Sequence, residues 1–279
     1  MLQVHNNNEL SAQIRDWKRQ GHRIAFVPTM GNLHQGHLSL LRLGHEQADK
    51  LISSIFVNPM QFSPNEDLNN YPRTLEQDCK ALMEHQCDLV YLPTEQDLYP
   101  NGLEHMTTVH VMDITQRFEG EFRPGHLTGV STIVLKLFNL VQPDIAVFGK
   151  KDYQQLQMIK KMVKDLNLNI DIIGGETVRD ESGIAMSSRN QYLTEDQQPI
   201  ATKLQQQLSR VAEEIRKGNK SFSALTKEAT DFLNQSGFEV DYFDICHQQT
   251  LKPANDKEPL VILAAAKLGR TRLIDNIEI

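Results

Sequence analysis

Cysteine is scarce in this chain of 279 residues, with three copies at Cys79, Cys87 and Cys246. They show neither C-x-x-C spacing nor a metal-finger pattern. That excludes a zinc finger and a disulfide framework and fits reduced structural thiols. Long apolar runs are also missing. The longest clean one, Leu260 to Ala266, is far too short to span a bilayer, and Met1 to Asn8 is polar with no signal-peptide core. The expectation is a cytoplasmic protein that does not enter a membrane. No period of about 20 to 50 residues recurs, which excludes a solenoid. The sequence has no G-x-x-x-x-G-K-S/T, no G-x-G-x-x-G and no G-x-S-x-G, which argues against a P-loop enzyme, a dinucleotide oxidoreductase and a hydrolase elbow. Positive charge is not in excess: 29 Lys and Arg against 36 Asp and Glu leave a net charge of −7. That balance argues against a general nucleic-acid binder.

What is present is an ordinary globular composition, 39% hydrophobic and 23% charged, over a length that suggests about two domains. The spacing predicts an amphipathic helix over Glu9 to Gln20, with Asn8 as N-cap and Gly21 just past its end. A strand over Ile24 to Val27 and a helix from about His37 to Gln47 follow. Leu51 to Val57 reads as a strand ended by Asn58-Pro59, Thr74 to His85 as a helix opened by a Thr74-x-x-Gln77 capping box, and Leu89 to Leu92 as a short strand. Then come an apolar helix over Gly125 to Val141, a strand over Ile145 to Phe148, a helix over Tyr153 to Leu166, and a strand over Asn169 to Ile173 closed by Gly174-Gly175. Such alternation predicts an α/β fold with a Rossmann-like, doubly wound parallel sheet covered on both faces. Beyond residue 175 the pattern changes. A polar loop leads to helices over Thr194 to Lys217, with a Thr194-x-x-Gln197 capping box, and Phe222 to Gln235, then strands over Phe238 to Cys246, Leu260 to Lys267 and Thr271 to Ile274. We expect a first domain over residues 1–175 and a smaller α+β domain over 176–279.

An open parallel sheet binds ligands at the carboxyl ends of its strands. The first predicted strand runs into Met30-Gly31-Asn32-Leu33-His34-Gln35-Gly36-His37, where the N–H groups of a helix start and two imidazoles suit a nucleotide phosphate. A His-x-x-His pair is also half of a zinc site, although no third ligand is evident. The second strand ends in neutral amides, Asn58 and Gln61, which can hold hydroxyls and carboxylates or can simply be loop residues. Ile145 to Phe148 runs into Gly149-Lys150-Lys151-Asp152, with Lys151 and Gln155 on one helix face; these lysines either meet phosphate or form a solvated surface. The loop after the sheet carries Met186-Ser187-Ser188-Arg189, a phosphate clamp or a plain polar loop.

Taken together, the His-Gln-Gly-His turn and the Met-Ser-Ser-Arg stretch resemble the nucleotidylyl-transferase superfamily. The longer set is similar to one family within it, the pantoate–β-alanine ligases (pantothenate synthetases). That set is Pro28 to Gly31 with Leu33-His34 and Gly36-His37, Phe56 to Pro59 with Gln61-Phe62, Tyr71 to Thr74, Arg123 to His126, Phe148 to Asp152 with Gln154-Gln155, and Ser187 to Asn190. The resemblance runs from about residue 3 to about residue 275. It implies that ATP and pantoate give pantoyl adenylate and pyrophosphate, and that β-alanine then gives pantothenate and AMP. It implies an ATP site of Met30, Gly31, Asn32, Leu33, His34, Gln35, Gly36, His37, Gly149, Lys150, Lys151, Asp152, Val178, Met186, Ser187, Ser188 and Arg189. Gln61 and Gln155 would hold pantoate, Gln61 would also lie near β-alanine, and Asn58 joins them as a substrate-binding candidate. His37 would be the proton donor, with His34, Lys151, Ser187, Ser188 and Arg189 supplying further donors and charge. Mg²⁺ would accompany ATP, held mainly by phosphates and waters, with Asp78 as a possible helper. The second domain would act as a lid, and the enzyme would be a homodimer. The alternative within the fold is a nucleotidylyltransferase that adenylylates a phosphate acceptor; the neutral Gln61 and Gln155 argue against it.

Overall fold

The computed structural model describes residues 1–63, 66–255 and 258–279. The first part of the chain runs β1 (Leu2–Val4), α1 (Asn7–Arg19), β2 (Ile24–Thr29), α2 (Gln35–His45), β3 (Lys50–Ile55), α3 (Leu75–Glu84), β4 (Leu89–Tyr91), α4 (Glu95–Leu98), α5 (Glu119–Phe122), α6 (His126–Val141), β5 (Ile145–Gly149), α7 (Tyr153–Asp165) and β6 (Asp171–Gly175). The six strands are parallel, in the order β1-β4-β3-β2-β5-β6. The α/β fold is therefore as expected. From β2 the chain builds outward through β3 and β4, then returns to place β5 on the other side of β2. That reversal makes the carboxyl ends of β2 and β5 the switch point of the sheet.

Strand parity assigns the layers. Ala25, Val27, Ile145 and Val147 point to one face and are buried with Leu38, Leu40 and Leu41 of α2. Phe148, of opposite parity, packs edge-on to Phe138 of α6 at 6.3 Å between ring centres, so α6 lies on the other face. Burial on both faces explains why the central strands β2, β4 and β5 read as apolar runs rather than alternating ones.

Several boundaries differ from expectation. The N-cap of α1 is Asn6, not Asn8: the Asn6 Oδ1 accepts from the amides of Asn8 and Glu9 at 3.1 and 3.0 Å. Thr74 makes no capping bond; its hydroxyl donates to Asp78 instead. Only half of the expected box appears at Thr194, whose amide donates to Gln197 Oε1 at 3.1 Å, and the helix that follows begins at Gln198 with Pro199 in its first turn. The glycines after Ile173 lie inside β6 rather than closing it.

The rest of the chain runs α8 (Gln198–Arg216), α9 (Phe222–Gln235), β7 (Phe238–His247), β8 (Leu260–Leu268) and β9 (Thr271–Glu278). The three strands form an antiparallel sheet in the order β7-β8-β9. Leu204, Leu208 and Val211 of α8 and Leu225, Ala229 and Leu233 of α9 pack with Ile245, Ile262, Ala264 and Leu273 as a separate core. Two compact units result: Met1–Lys150 with Met158–Glu176, and Lys151–Gln157 with Thr177–Ile279. The single break expected near residue 175 gives no sign of the segment Lys151–Gln157, which groups with the second unit. There, the Tyr153 hydroxyl donates to Glu278 at 2.9 Å and Asn276 Nδ2 donates to the Lys151 carbonyl at 2.9 Å. The three cysteines are free thiols, and burial pushes that of Cys87 up to about 12.

Candidate active site

The loop after β2 is built around one carboxylate. Gly31 and Asn32 take left-handed backbone conformations, φ +83° and +50°. A β-carbon on Gly31 would stand 3.0 Å from Asp78 Oδ2, so glycine is required there. Asp78, on α3 and only 3% exposed, accepts from the Asn32 and Leu33 amides at 2.9 and 2.8 Å and from Thr74 Oγ1 at 3.1 Å. Both its oxygens are thus taken up in holding the loop.

The same loop ends in a helix cap made of two histidines. His34 is the N-cap of α2, and its Nδ1 accepts from the Gly36 amide at 3.1 Å. The His37 Nδ1 accepts in turn from the His34 amide at 3.3 Å. This is a capping box with imidazoles in the places of serine and glutamate. A ring nitrogen that accepts carries no proton, so each neutral ring holds its proton on Nε2. The rings lie 4.0 Å apart between centres, tilted by 36°. The amides of His34 and Gly36 are engaged in the box, and those of His37 and Leu38 bond the His34 carbonyl at 2.8 and 3.1 Å. These amides are thus used within the loop, and the donor of each neutral ring is its Nε2–H.

Gln61 lies in a short helical turn, Pro59–Gln61, just after β3. Its Nε2 donates to the Met30 Sδ at 2.9 Å, which ties it to the histidine loop. Asn58 is 1% exposed, and its amide is fully engaged inside the protein. Its Nδ2 donates to Gln61 Oε1 and to the Gly129 carbonyl, both at 3.2 Å, and its Oδ1 accepts from the Tyr99 hydroxyl at 2.6 Å. Asn58 therefore supports Gln61 from inside the protein. The Gln61 carbonyl accepts from His126 Nδ1 at 2.7 Å. His126 and Arg123, which hold this carbonyl, gave no chemical signal in the sequence beyond the family motif they share.

At the end of β5, Lys150 pairs with Glu176 at 2.6 Å. A β-carbon on Gly149 would meet only Leu40, at 3.9 Å. The fold leaves room for a side chain there, so glycine suits a ligand that approaches the backbone.

In the second unit, Lys151 and Ser187 line one small cavity of about 20 Å³, with Asn190 and Asp275. Ser187 caps the helical turn Ser188–Tyr192, its Oγ accepting from the Arg189 amide at 3.2 Å. The stretch from Val178 to Met186 folds back on itself, with the Met186 amide donating to the Val178 carbonyl at 2.9 Å. A bidentate pair anchors it to β9: Arg179 Nη1 and Nη2 donate to Asp275 at 2.6 and 2.9 Å. Neither residue was among the sequence candidates. A lone Arg in a polar loop and an Asp in a strand become recognisable only once they meet. Gln155 lies in the first turn of α7, which belongs to this unit.

The family model for pantoate-beta-alanine ligase matches residues 3–278. The chain belongs to the pantoate-beta-alanine ligase family. As a member, this ligase forms a C–N bond, joining pantoate to β-alanine. It is 53% identical to the pantothenate synthetase of Aeromonas hydrophila, over 99% of this chain and 97% of that one. It is similar to the crystal structure of pantothenate synthetase from Thermus thermophilus, with a TM-score of 0.93, 39% identity and coverage of 100% and 99% of the two chains. The ligase from Francisella tularensis, solved in complex with beta-gamma ATP and beta-alanine, has a TM-score of 0.82 and 36% identity over 100% of this chain and 97% of that one.

Proposed function

We propose that this ligase works through an acyl adenylate. A carboxylate oxygen of pantoate attacks the α-phosphorus of ATP as the bond to pyrophosphate breaks. The amine of β-alanine then attacks the acyl carbon, loses a proton and displaces AMP, leaving the new C–N bond. The first step brings two anions together, so it needs hydrogen-bond donors and cations arranged in advance. Two sets of residues would serve ATP: Met30 to His37 with Gly149 and Lys150 in the first unit, and Lys151, Asp152, Val178 and Met186 to Arg189 in the second. Gln61 and Gln155 would hold pantoate. His37 would donate from Nε2 to the departing pyrophosphate, with His34 beside it.

The observation that carries this reading is the doubly imidazole cap. It fixes both rings in the tautomer that donates from Nε2, on a loop that Gln61 touches through Met30. The open flank of Gly149 adds a second point of backbone approach. Mg²⁺ would travel with the ATP phosphates. Among the described residues no group of three or more His, Cys, Asp or Glu is placed to hold a metal, so phosphate oxygens and water would be its ligands. We assign no step to it. The proposal includes a cytoplasmic homodimer, in line with the family resemblance; no helix among the described residues is long and apolar enough to cross a membrane.

The test is exchange of labelled pyrophosphate into ATP. Exchange is expected only when pantoate is supplied, without any need for β-alanine. His37→Ala should lower the single-turnover rate of adenylate formation by about 10²-fold while the fold survives. Exchange without pantoate would sink the adenylate route, and an unchanged rate would remove His37 from it.

A further inference from the structure

The segment Arg123-Pro124-Gly125-His126 opens α6 and takes no part in the steps above. It forms a directed chain of hydrogen bonds. Arg123 Nε and Nη2 donate to the two carboxylate oxygens of Glu66 at 2.7 and 2.8 Å, and its Nη1 lies 3.4 Å from Glu119 Oε2. The same Nη1 donates to His126 Nε2 at 2.9 Å. A guanidinium has no acceptor and keeps its charge, so His126 Nε2 must be the acceptor and its proton must sit on Nδ1. That proton goes to the Gln61 carbonyl at 2.7 Å, where Arg123 Nη2 adds a longer bond at 3.4 Å. His126 is 9% exposed, and burial, with the Arg123 guanidinium beside it, holds its pKa down at about 4, so the ring stays neutral as this tautomer requires.

The preceding turn is strained in support of this chain. Phe118 holds φ +51° and ψ −119°, a region that bulky residues avoid, and is itself buried. A β-carbon on Gly120 would stand 1.9 Å from the Thr115 carbonyl. Backbone held in such a state marks a geometry that the fold over-determines. Here it sets Glu119 against Arg123. α6 also packs closely on the Gln61 turn at Gly129, where an added β-carbon would stand 2.3 Å from the Met60 carbonyl.

We propose that His126 is a positioning residue for pantoate, acting through the Gln61 carbonyl, with Arg123 selecting the tautomer in which it can act. The inference rests on the reading of Gln61 as a pantoate ligand. His126 itself touches no substrate. Its hydrogen bond sets where the Gln61 backbone stands, while Asn58 and Met30 set the direction of the Gln61 amide.

The test measures KM for pantoate and for ATP in the full-length enzyme by pyrophosphate exchange. His126→Ala is expected to raise the pantoate KM about tenfold and leave the ATP KM within about twofold. His126→Asn places an amide donor near the position of Nδ1 and should recover most of the loss, whereas His126→Gln should not. In a Gln61→Ala background, His126→Ala should add nothing to the pantoate KM. Equal rises in both KM values, or a full additional effect in that background, would overturn the inference. Should His126→Ala fail to fold, the Asn and Gln variants decide, and equal pantoate KM values for the two would overturn it. If Gln61→Ala alone leaves the pantoate KM unchanged, the Gln61 reading is wrong and the role of His126 falls with it. A selective His126 effect that depends on Gln61 supports both.

Discussion

Histidine does two different jobs around this site, and hydrogen-bond partners decide which. His34 and His37 use Nδ1 as acceptors in a helix cap, which places the proton of each neutral ring on Nε2. His126 is turned the other way: Arg123 occupies Nε2, and Nδ1–H does the holding. The buried ring carries a pH signature. Its pKa lies at about 4 in the folded chain against an ordinary 6.5. Between those values the unfolded chain binds a proton that the folded chain does not. The contribution is therefore complete above about pH 6.5 and is lost as pH falls towards 4, with a ceiling of about 3 kcal/mol. Glu66, Glu119 and Arg123 face the same ring and share in its titration. Urea unfolding at about pH 7 and about pH 4.5 should show a smaller loss of stability in His126→Asn than in the parent chain. Equal losses would mean that other groups carry the acid sensitivity.

Among the elements, α6 has the most consequences for the site. Gly125 starts it in a left-handed conformation, φ +86°, and Gly129 lets the Pro59–Gln61 turn lie against its backbone. The neighbours of Gly129 are main-chain atoms, Met60 O at 2.3 Å and Gln61 N at 2.8 Å from an added β-carbon. They cannot rotate away as a side chain could. Gly129→Ala should cost about 1–3 kcal/mol of stability and weaken pantoate binding, because relief of the clash moves Gln61. Thermal unfolding and the pantoate KM check this together; parent-like values for both would show that the turn yields at no cost. The helix as such was evident from its apolar length, but the reason for its glycines was not, since that reason is a neighbour about 70 residues away in sequence.

Over the whole molecule, the parallel sheet puts the ends of β2, β3 and β5 side by side, which is why residues near positions 30, 61 and 149 belong to one unit's site. The second unit takes Lys151–Gln157 into its own structure, through Tyr153 with Glu278 and Lys151 with Asn276. A cut at the sequence boundary would strip that unit of a buried tyrosine and two hydrogen bonds. Residues 177–279 expressed alone should therefore lack a cooperative melt, and a well-dispersed NMR spectrum with a sharp transition would contradict this. The three-residue β1 escaped the sequence reading because so short a strand has no period; it exists through pairing, Leu2 against Leu89 to Val4 against Tyr91.

Local chemistry alone determined a good deal. Apolar runs of four to six residues between helical periods specify a parallel sheet, and glycines and histidines after the first of them specify an anion-seeking turn. The family motifs specify the ligase. Tertiary structure decided the roles within that outline. It set Asp78 against two loop amides and Asn58 against Gln61. It engaged the helix amides in an imidazole cap, and it joined Arg179 to Asp275 and Arg123 through His126 to Gln61. The physical reason is the same in each case. A hydrogen bond between residues tens of positions apart leaves no trace in spacing or period, and a polar side chain's role depends on which partner the fold brings within about 3 Å of it.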